Sequence, residues 1–279
     1  MLKGIDVSKH QGAIDWKKVK EAGIQFAILR AGWTHYQGGL SPDSRFAEYI
    51  KGAQEAGIPV GVYVYGYDLT PQAAKIAAEK VVELIRPYKL EYPVWYDQEY
   101  EPEILALSKA QRTEICRVFL DTVQQAGYYT GLYASKDWLE NMVDGDVLAP
   151  YDKWVASYRF ELPWPSYEKS GYSGSHGIWQ YTVIGVQGTK GKDYWTTGNV
   201  SGISTNCDLN ISYRDYPQII QKAGLNHLKE TGTAPAEPPP SPENVPDTEI
   251  NLLKEKAQRF DRLYAGLQAL VDQYENKGV

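Results

Sequence analysis

Between residues 4 and 134, apolar runs of strand length alternate with segments whose apolar residues recur every three or four positions. Gly4 to Ser8 reads as a short strand, and Asp15 to Glu21 as a helix that stops at Gly23. Phe26 to Gly32 is a continuous apolar run of the kind a parallel sheet buries on both faces. Ser41-Pro42 then predicts an N-cap and a first helical position, with Phe46, Ile50 and Ala53 on one helix face and Gly57 as the stop. In Pro59 to Tyr67, Val60, Val62 and Val64 alternate with Tyr63, Tyr65 and Tyr67, which gives one β-branched face and one tyrosine face. Thr70-Pro71 opens a helix that runs to Pro87, Pro93 to Glu99 is a fourth strand, and Ser108 with Gln111 forms a capping box for a long helix ended by Gly127. The βα period has then repeated four times.

After a fifth strand, Thr130 to Ala134, the pattern changes. Ser135 to Met142 allows only a short helix, while Lys153 to Tyr158, Gly177 to Thr182 and Cys207 to Ser212 read as three more strands. Eight strands suggest a closed barrel. The connections 159–176 and 183–206 are long enough for parallel crossovers or for a local reversal, and the pattern leaves both open. From Thr231 to Glu249 six prolines stand among Glu, Ser and Thr, a semi-rigid spacer. Ile250, Leu253, Ala257, Phe260, Tyr264, Leu267, Val271 and Tyr274 then repeat at heptad spacing, with Leu263 and Leu270 beside the seam. The expected organisation is a barrel over 1–226, a linker over 227–249 and an amphipathic helix over 250–279. One helix cannot bury that stripe alone, so a homo-oligomer through the helix is expected.

Composition narrows the function. With 279 residues, 43% of them hydrophobic, the chain can bury one large core. Its net charge is −6 and the 29 basic residues are dispersed, so no stripe for nucleic acid is present. There are 22 Tyr and 8 Trp against 5 Phe, rings with a polar handle that suit sugar surfaces. Neither a signal peptide nor a membrane span is read from the sequence. Cys116 and Cys207 make no zinc spacing and are expected reduced and buried; the four histidines form no metal-binding pair, so no metal or cofactor is expected.

The chemistry lies in acids. Strand side chains alternate, so Asp97 and Glu99 point to one side, and crowding two carboxylates in a partly dry place raises the proton affinity of at least one. A solvated acidic loop is the commoner meaning of an isolated pair of this kind. In barrels of alternating strands and helices the chemistry sits at the strands' C-terminal ends. Closing the barrel would bring Asp6 and Asp208, on the first and last strands, across the mouth from Asp97 and Glu99, although either could instead cap a loop. Tyr63, Tyr65, Tyr133, Tyr158 and Trp179 are candidates for stacking on sugar rings, Gln180 for bonding an amide or hydroxyl, and Trp164, Tyr194 and Trp195 for extending the groove.

Taken together, Gly4-Ile5-Asp6-Val7-Ser8-Lys9-His10-Gln11-Gly12 with Asp15-Trp16, Arg30-Ala31-Gly32, Gly61-Val62-Tyr63, Asp97-Gln98-Glu99, Gly131-Leu132-Tyr133, Trp154 to Tyr158, Trp179-Gln180-Tyr181 and Asp208-Leu209-Asn210 resemble the glycoside hydrolase family 25 lysozymes, the Chalaropsis-type muramidases. The resemblance covers about residues 1 to 215. It implies an irregular α/β TIM-like barrel of five β/α units and three further strands. It also implies bacterial peptidoglycan as the partner, cut at the β-1,4 bond between N-acetylmuramic acid and N-acetylglucosamine. Glu99 matches the family's proton donor, and Asp97, Asp6 and Asp208 its other active-site acids. With no signal peptide read, the resemblance suggests a phage endolysin kept in the host cytoplasm until it is released to the wall, or otherwise an extracellular enzyme exported by a non-classical route. A non-catalytic wall-binding barrel and another acetamido-sugar glycosidase are the alternatives. The D-x-x-D-x-D-x-E strand of chitinase barrels is missing.

Overall fold

A computed structural model of the chain describes residues 1–158, 169–182 and 199–228. Its strands are β1 (Leu2–Val7), β2 (Phe26–Thr34), β3 (Leu40–Pro42), β4 (Val60–Tyr65), β5 (Val94–Asp97), β6 (Thr130–Ser135), β7 (Asp152–Ala156), β8 (Ile178–Thr182) and β9 (Asp208–Ser212). They form one sheet in the order β1-β9-β8-β7-β6-β5-β4-β2, closed into an eight-stranded barrel by parallel pairing of β1 with β2. β3 is a short addition to the edge of β2. Of the two arrangements the sequence left open, the local reversal is the one adopted: β9 runs antiparallel to both β8 and β1. The start of β9 therefore lies at the same barrel end as the finish of β1.

Helices α1 (Trp16–Glu21), α2 (Phe46–Glu55), α3 (Pro71–Ile85) and α5 (Lys109–Gln125) follow β1, β2, β4 and β5, with the short α4 (Pro102–Leu105) ahead of α5. A single wide turn, Trp138–Met142, follows β6, and α6 (Tyr216–Lys222) follows β9. Local chemistry sets the boundaries. Thr70 Oγ1 accepts from Ala73 N at 3.1 Å, and Ser108 and Gln111 form a reciprocal capping box. Gly57 and Gly127, at φ of +68° and +87°, take the left-handed turn that ends α2 and α5.

One expected boundary is corrected. Ser41-Pro42 does not cap α2: both residues lie in β3, paired with Trp33 and Gly32. Proline has no N–H to lose at such an edge position. The helix begins at Phe46, after a turn built by Asp43, whose carboxylate accepts from Arg45 N at 2.9 Å.

Strand alternation divides the apolar residues into two layers. Val60, Val62 and Val64 face outward into the layer shared with the helices, while Phe26, Ile28, Trp95, Trp154 and Ile178 fill the barrel interior. The filling is aromatic: Phe26 stacks on Tyr92 at 4.5 Å between centroids, and Trp95 lies edge-on to Trp154 at 5.9 Å. Rings of this size need bare backbone opposite them. A Cβ at Gly131 would sit 2.4 Å from the Trp95 ring, and one at Gly4 would sit 2.3 Å from Phe26. The plug occupies the N-terminal half of the barrel and leaves the mouth at the other end to polar residues.

The barrel unit spans Met1–Glu230. Near its end Asn226 donates to Leu90 O and Tyr92 O at 3.0 and 3.1 Å and accepts from Tyr129 N at 2.7 Å. The expected linker lies outside the described residues except for its first two, and the heptad helix lies wholly outside them. No described helix is long and apolar enough to cross a membrane.

Candidate active site

Asp6 and Asp208 are direct register partners across β1 and β9, so both side chains enter the barrel mouth. On the other side, the register runs from Trp33 on β2 through Tyr65 on β4 and Asp97 on β5 to Tyr133 on β6. The four acids meet electrostatically. The charges of Asp6, Asp97 and Asp208 all act on the Tyr63 phenol, and Asp97 also feels Glu99 and Asp6.

Their surroundings differ. Asp97 is buried, its Oδ1 has no hydrogen-bond partner, and burial above all, then the charges of Glu99 and Asp6, push its pKa well above the carboxylate range; Arg30 opposes this weakly. Glu99 projects past the end of β5 and keeps solvent exposure, yet the cleft walls strip enough water from its carboxyl to raise its pKa. The charges of Glu101 and Asp6 add to that rise.

Asp6 is held by amides. Its Oδ2 accepts from Gln180 Nε2 at 2.9 Å and from Asn210 Nδ2 at 2.8 Å. Each amide is itself fixed. Trp154 Nε1 donates to Asn210 Oδ1 at 2.8 Å, and the hydroxyls of Tyr133 and Tyr158 both donate to Gln180 Oε1 at 2.7 Å. Burial raises the Asp6 pKa to about 6, against the pull of the two amide donors.

The expected site residues separate accordingly. Tyr63 lies among the acids, its ring edge-on to Trp154 at 6.1 Å. Tyr65 reaches the mouth, but its hydroxyl donates to Glu101 Oε1 at 2.6 Å, an acid the sequence reading did not select. Tyr133 is buried and, like Tyr158, turns its hydroxyl to Gln180, so these two orient an amide. Gln180 is engaged at both ends of its amide and serves Asp6, which corrects its expected role as a substrate contact.

Trp179 is also corrected. It has no exposed surface, packs in the outer layer and donates from Nε1 to Ser157 O at 2.8 Å. Strand parity is the reason, since neighbours on β8 point to opposite faces and Gln180 takes the inner one. Trp164, Tyr194 and Trp195 lie outside the described residues.

Arg30, Asn210, Lys9 and Trp33 were missed. Arg30 could have been found, because an arginine within the apolar run Phe26 to Gly32 needs a partner, and it has one in buried Asp43 at 2.8 Å. Asn210 gave a similar signal beside Leu209 and Ile211. Among the described residues no cluster of His, Cys, Asp and Glu has the arrangement of a metal site.

The sequence model of the glycosyl hydrolases family 25 matches residues 5–188. The chain belongs to that family. An autolytic lysozyme of Clostridium acetobutylicum is 26% identical over 233 residues, 83% of this chain and 67% of the relative. The modular autolysin LytC of Streptococcus pneumoniae, whose structure was solved with a synthetic peptidoglycan ligand, superposes with a TM-score of 0.60 at 29% identity, over 76% of this chain and 46% of LytC. This chain thus spans about half of LytC. The bacterial lysozyme of Streptomyces coelicolor shares the fold, with a TM-score of 0.59 at 24% identity over 80% of this chain and 96% of that one. The family 25 barrel accounts for the five β/α units and three further strands.

Proposed function

We propose that this family 25 barrel is a muramidase, hydrolysing the β-1,4 bond between N-acetylmuramic acid and N-acetylglucosamine in bacterial peptidoglycan. The observation that carries the reading is the unequal pair at the mouth: a buried Asp97 with an unpartnered oxygen beside a more exposed Glu99 whose pKa is raised. In this reading burial places a shared proton on Asp97 before substrate binds. An acetamido N–H entering the mouth gives Asp97 the donor it lacks and favours its ionised form. That new negative charge holds the proton on Glu99.

Glu99 then donates its proton to the glycosidic oxygen as positive charge grows on the muramic sugar. The acetamido oxygen attacks the anomeric carbon from the other face, Asp97 holds the amide that becomes cationic, and the second sugar leaves as an alcohol. Glu99, now a carboxylate, removes a proton from the water that opens the cyclic intermediate, so the configuration is retained. Asp6 and Asp208 contribute negative field across the mouth. Digestion of purified peptidoglycan tests the reading: new reducing ends without new free amino groups support it, and new amino groups would mark a peptide or amide bond as the target.

In the same reading the enzyme is an endolysin that acts on the wall from within a host cell. We also infer that residues 250–279 self-associate through their heptad stripe, which would multiply contacts with a repetitive polymer. Light scattering on the full chain and on one stopped at Glu230 checks this, and monomeric masses for both would refute it.

A further inference from the structure

Beside the acids, on the β1–β2–β4 flank of the mouth, lies a second pocket of about 360 Å³ lined by Lys9, His10, Arg30, Trp33, Tyr65 and Tyr67. Its position follows from the strands. Lys9 and His10 form the short turn after β1 and Asp6, while Trp33 is the register partner of Tyr65, and Tyr65 that of Asp97. Tyr65 is therefore a wall common to the pocket and the acid cluster, and a substituent on a sugar in the mouth would reach the pocket directly.

The two compartments differ in their charged groups. The mouth holds four carboxyl groups, whereas the pocket lining carries Lys9 and Arg30, the second of them paired with Asp43. Asp43, which is buried, ties down Arg30 Nε at 2.8 Å and the backbone N–H of Lys9 at 3.1 Å, but Arg30 Nη2 has no hydrogen-bond partner. The exposed Lys9 forms no ion pair among the described residues, and its Nζ lies 4.9 Å from the Trp33 ring centroid, with Arg30 Cζ at 5.6 Å. Buried Asp43 thus fixes one cation and the Lys9 backbone, while the Lys9 ammonium stays available beside an aromatic face. A carboxylate suits that arrangement, taking charge-assisted bonds from the Lys9 ammonium that Trp33 holds in place. A neutral sugar hydroxyl would leave the cation unmatched.

We propose that this pocket binds a carboxylate of the peptide joined to the lactyl arm of the muramic sugar, so that the barrel selects peptide-bearing glycan over bare glycan. The proposal rests on the muramidase reading. The lactyl arm ends in an amide wherever a peptide is attached, so the charge that reaches the pocket belongs to the peptide. On a peptide-free strand the lactyl carboxylate offers the same chemistry.

Two measurements on the full chain test it. The first compares kcat/KM of the wild type and Lys9→Gln on peptide-bearing glycan strands, on the same strands with their carboxyl groups amidated, and on strands stripped of peptide. The wild type should prefer the carboxylate form, and Lys9→Gln should reduce that preference about tenfold, through KM. An unchanged preference overturns the proposal. A change confined to strands stripped of peptide overturns the peptide as the source and assigns the lactyl carboxylate.

The second measurement follows the Trp33 indole N–H by NMR, assigned with Trp33→Phe, during titration with muramyl dipeptide and with its amidated form. A shift with the acid and none with the amide is expected. This readout needs no cleavage. A protein that shows the shift but cuts no glycan refutes the muramidase reading and keeps the pocket, and one that cuts glycan without the shift refutes the pocket.

Discussion

Asp6 and Asp208 face each other across β1 and the reversed β9, and this pairing completes the acid cluster. Asp208 opens its strand, so a parallel β9 would have placed it at the far end of the barrel from Asp6. The reversal puts it in the mouth, where its charge reaches Tyr63 and Tyr158. The acid set therefore depends on the direction of one strand.

Glu99→Gln keeps the shape of a solvent-facing side chain and removes the transferable proton. Turnover of peptidoglycan should fall by on the order of 10² to 10⁴, with the melting temperature unchanged. Reducing-sugar release and a thermal melt check both halves, and near wild-type turnover would assign the protonation to another acid.

Asp6 gives a pH signature. Its pKa of about 6 is set by burial against the pull of Asn210 and Gln180. Removing either donor takes stabilisation from the ionised form and raises that pKa further. If the charged form of Asp6 supports turnover, Asn210→Ala and Gln180→Leu should both move the acid limb of the kcat/KM profile to higher pH. An unmoved acid limb with an alkaline limb shifted to higher pH would show that the neutral form is the active one.

Asp68 gives a stability signature away from the mouth. It is fully buried, and burial raises its pKa from 3.8 to about 6 although Tyr96 donates to it at 2.7 Å. The unfolded chain therefore loses this proton first as pH rises. Folded-state stability from this group is intact below pH 4 and is lost as pH climbs to about 6, on the order of 3 kcal/mol in all. Asp68→Asn should be more stable than the wild type at pH 7 and equal to it at pH 3.5. Urea denaturation at the two pH values measures this, and an equal difference at both would contradict it.

Trp179→Ala should act on stability alone. Emptying a fully buried indole site in the outer layer costs about 3 to 5 kcal/mol. KM at a temperature where the variant is folded should stay at the wild-type value. A raised KM measured there would return Trp179 to the substrate path.

The strand and helix succession was legible because period, caps and glycine stops agreed, as at Thr70, Ser108 and Gly127. Asp208 opens its strand, so its place in the mouth was legible only if that strand ran backwards, whereas Asp97, Glu99 and Asp6 were legible because they stand at the C-terminal ends of theirs. The reversal of β9 was not, since long connections permit either direction. Ser41-Pro42 misled because a serine and proline suit an edge strand and a helix start alike, and the deciding group, Asp43, acts through long-range contacts with Lys9 and Arg30. Gln180 and Trp179 were both assigned to substrate, yet adjacent strand residues cannot share a face. Which hydroxyl an amide holds depends on packing across the barrel, as Gln180 shows with Tyr133 and Tyr158, and local sequence carries no record of that.

The central claim is the bond that is cut. Borohydride reduction of a peptidoglycan digest, followed by acid hydrolysis and amino-sugar analysis, converts each new reducing end into its sugar alcohol. The account predicts the alcohol of muramic acid, produced by the wild type and absent with Glu99→Gln. The alcohol of glucosamine in its place would contradict it.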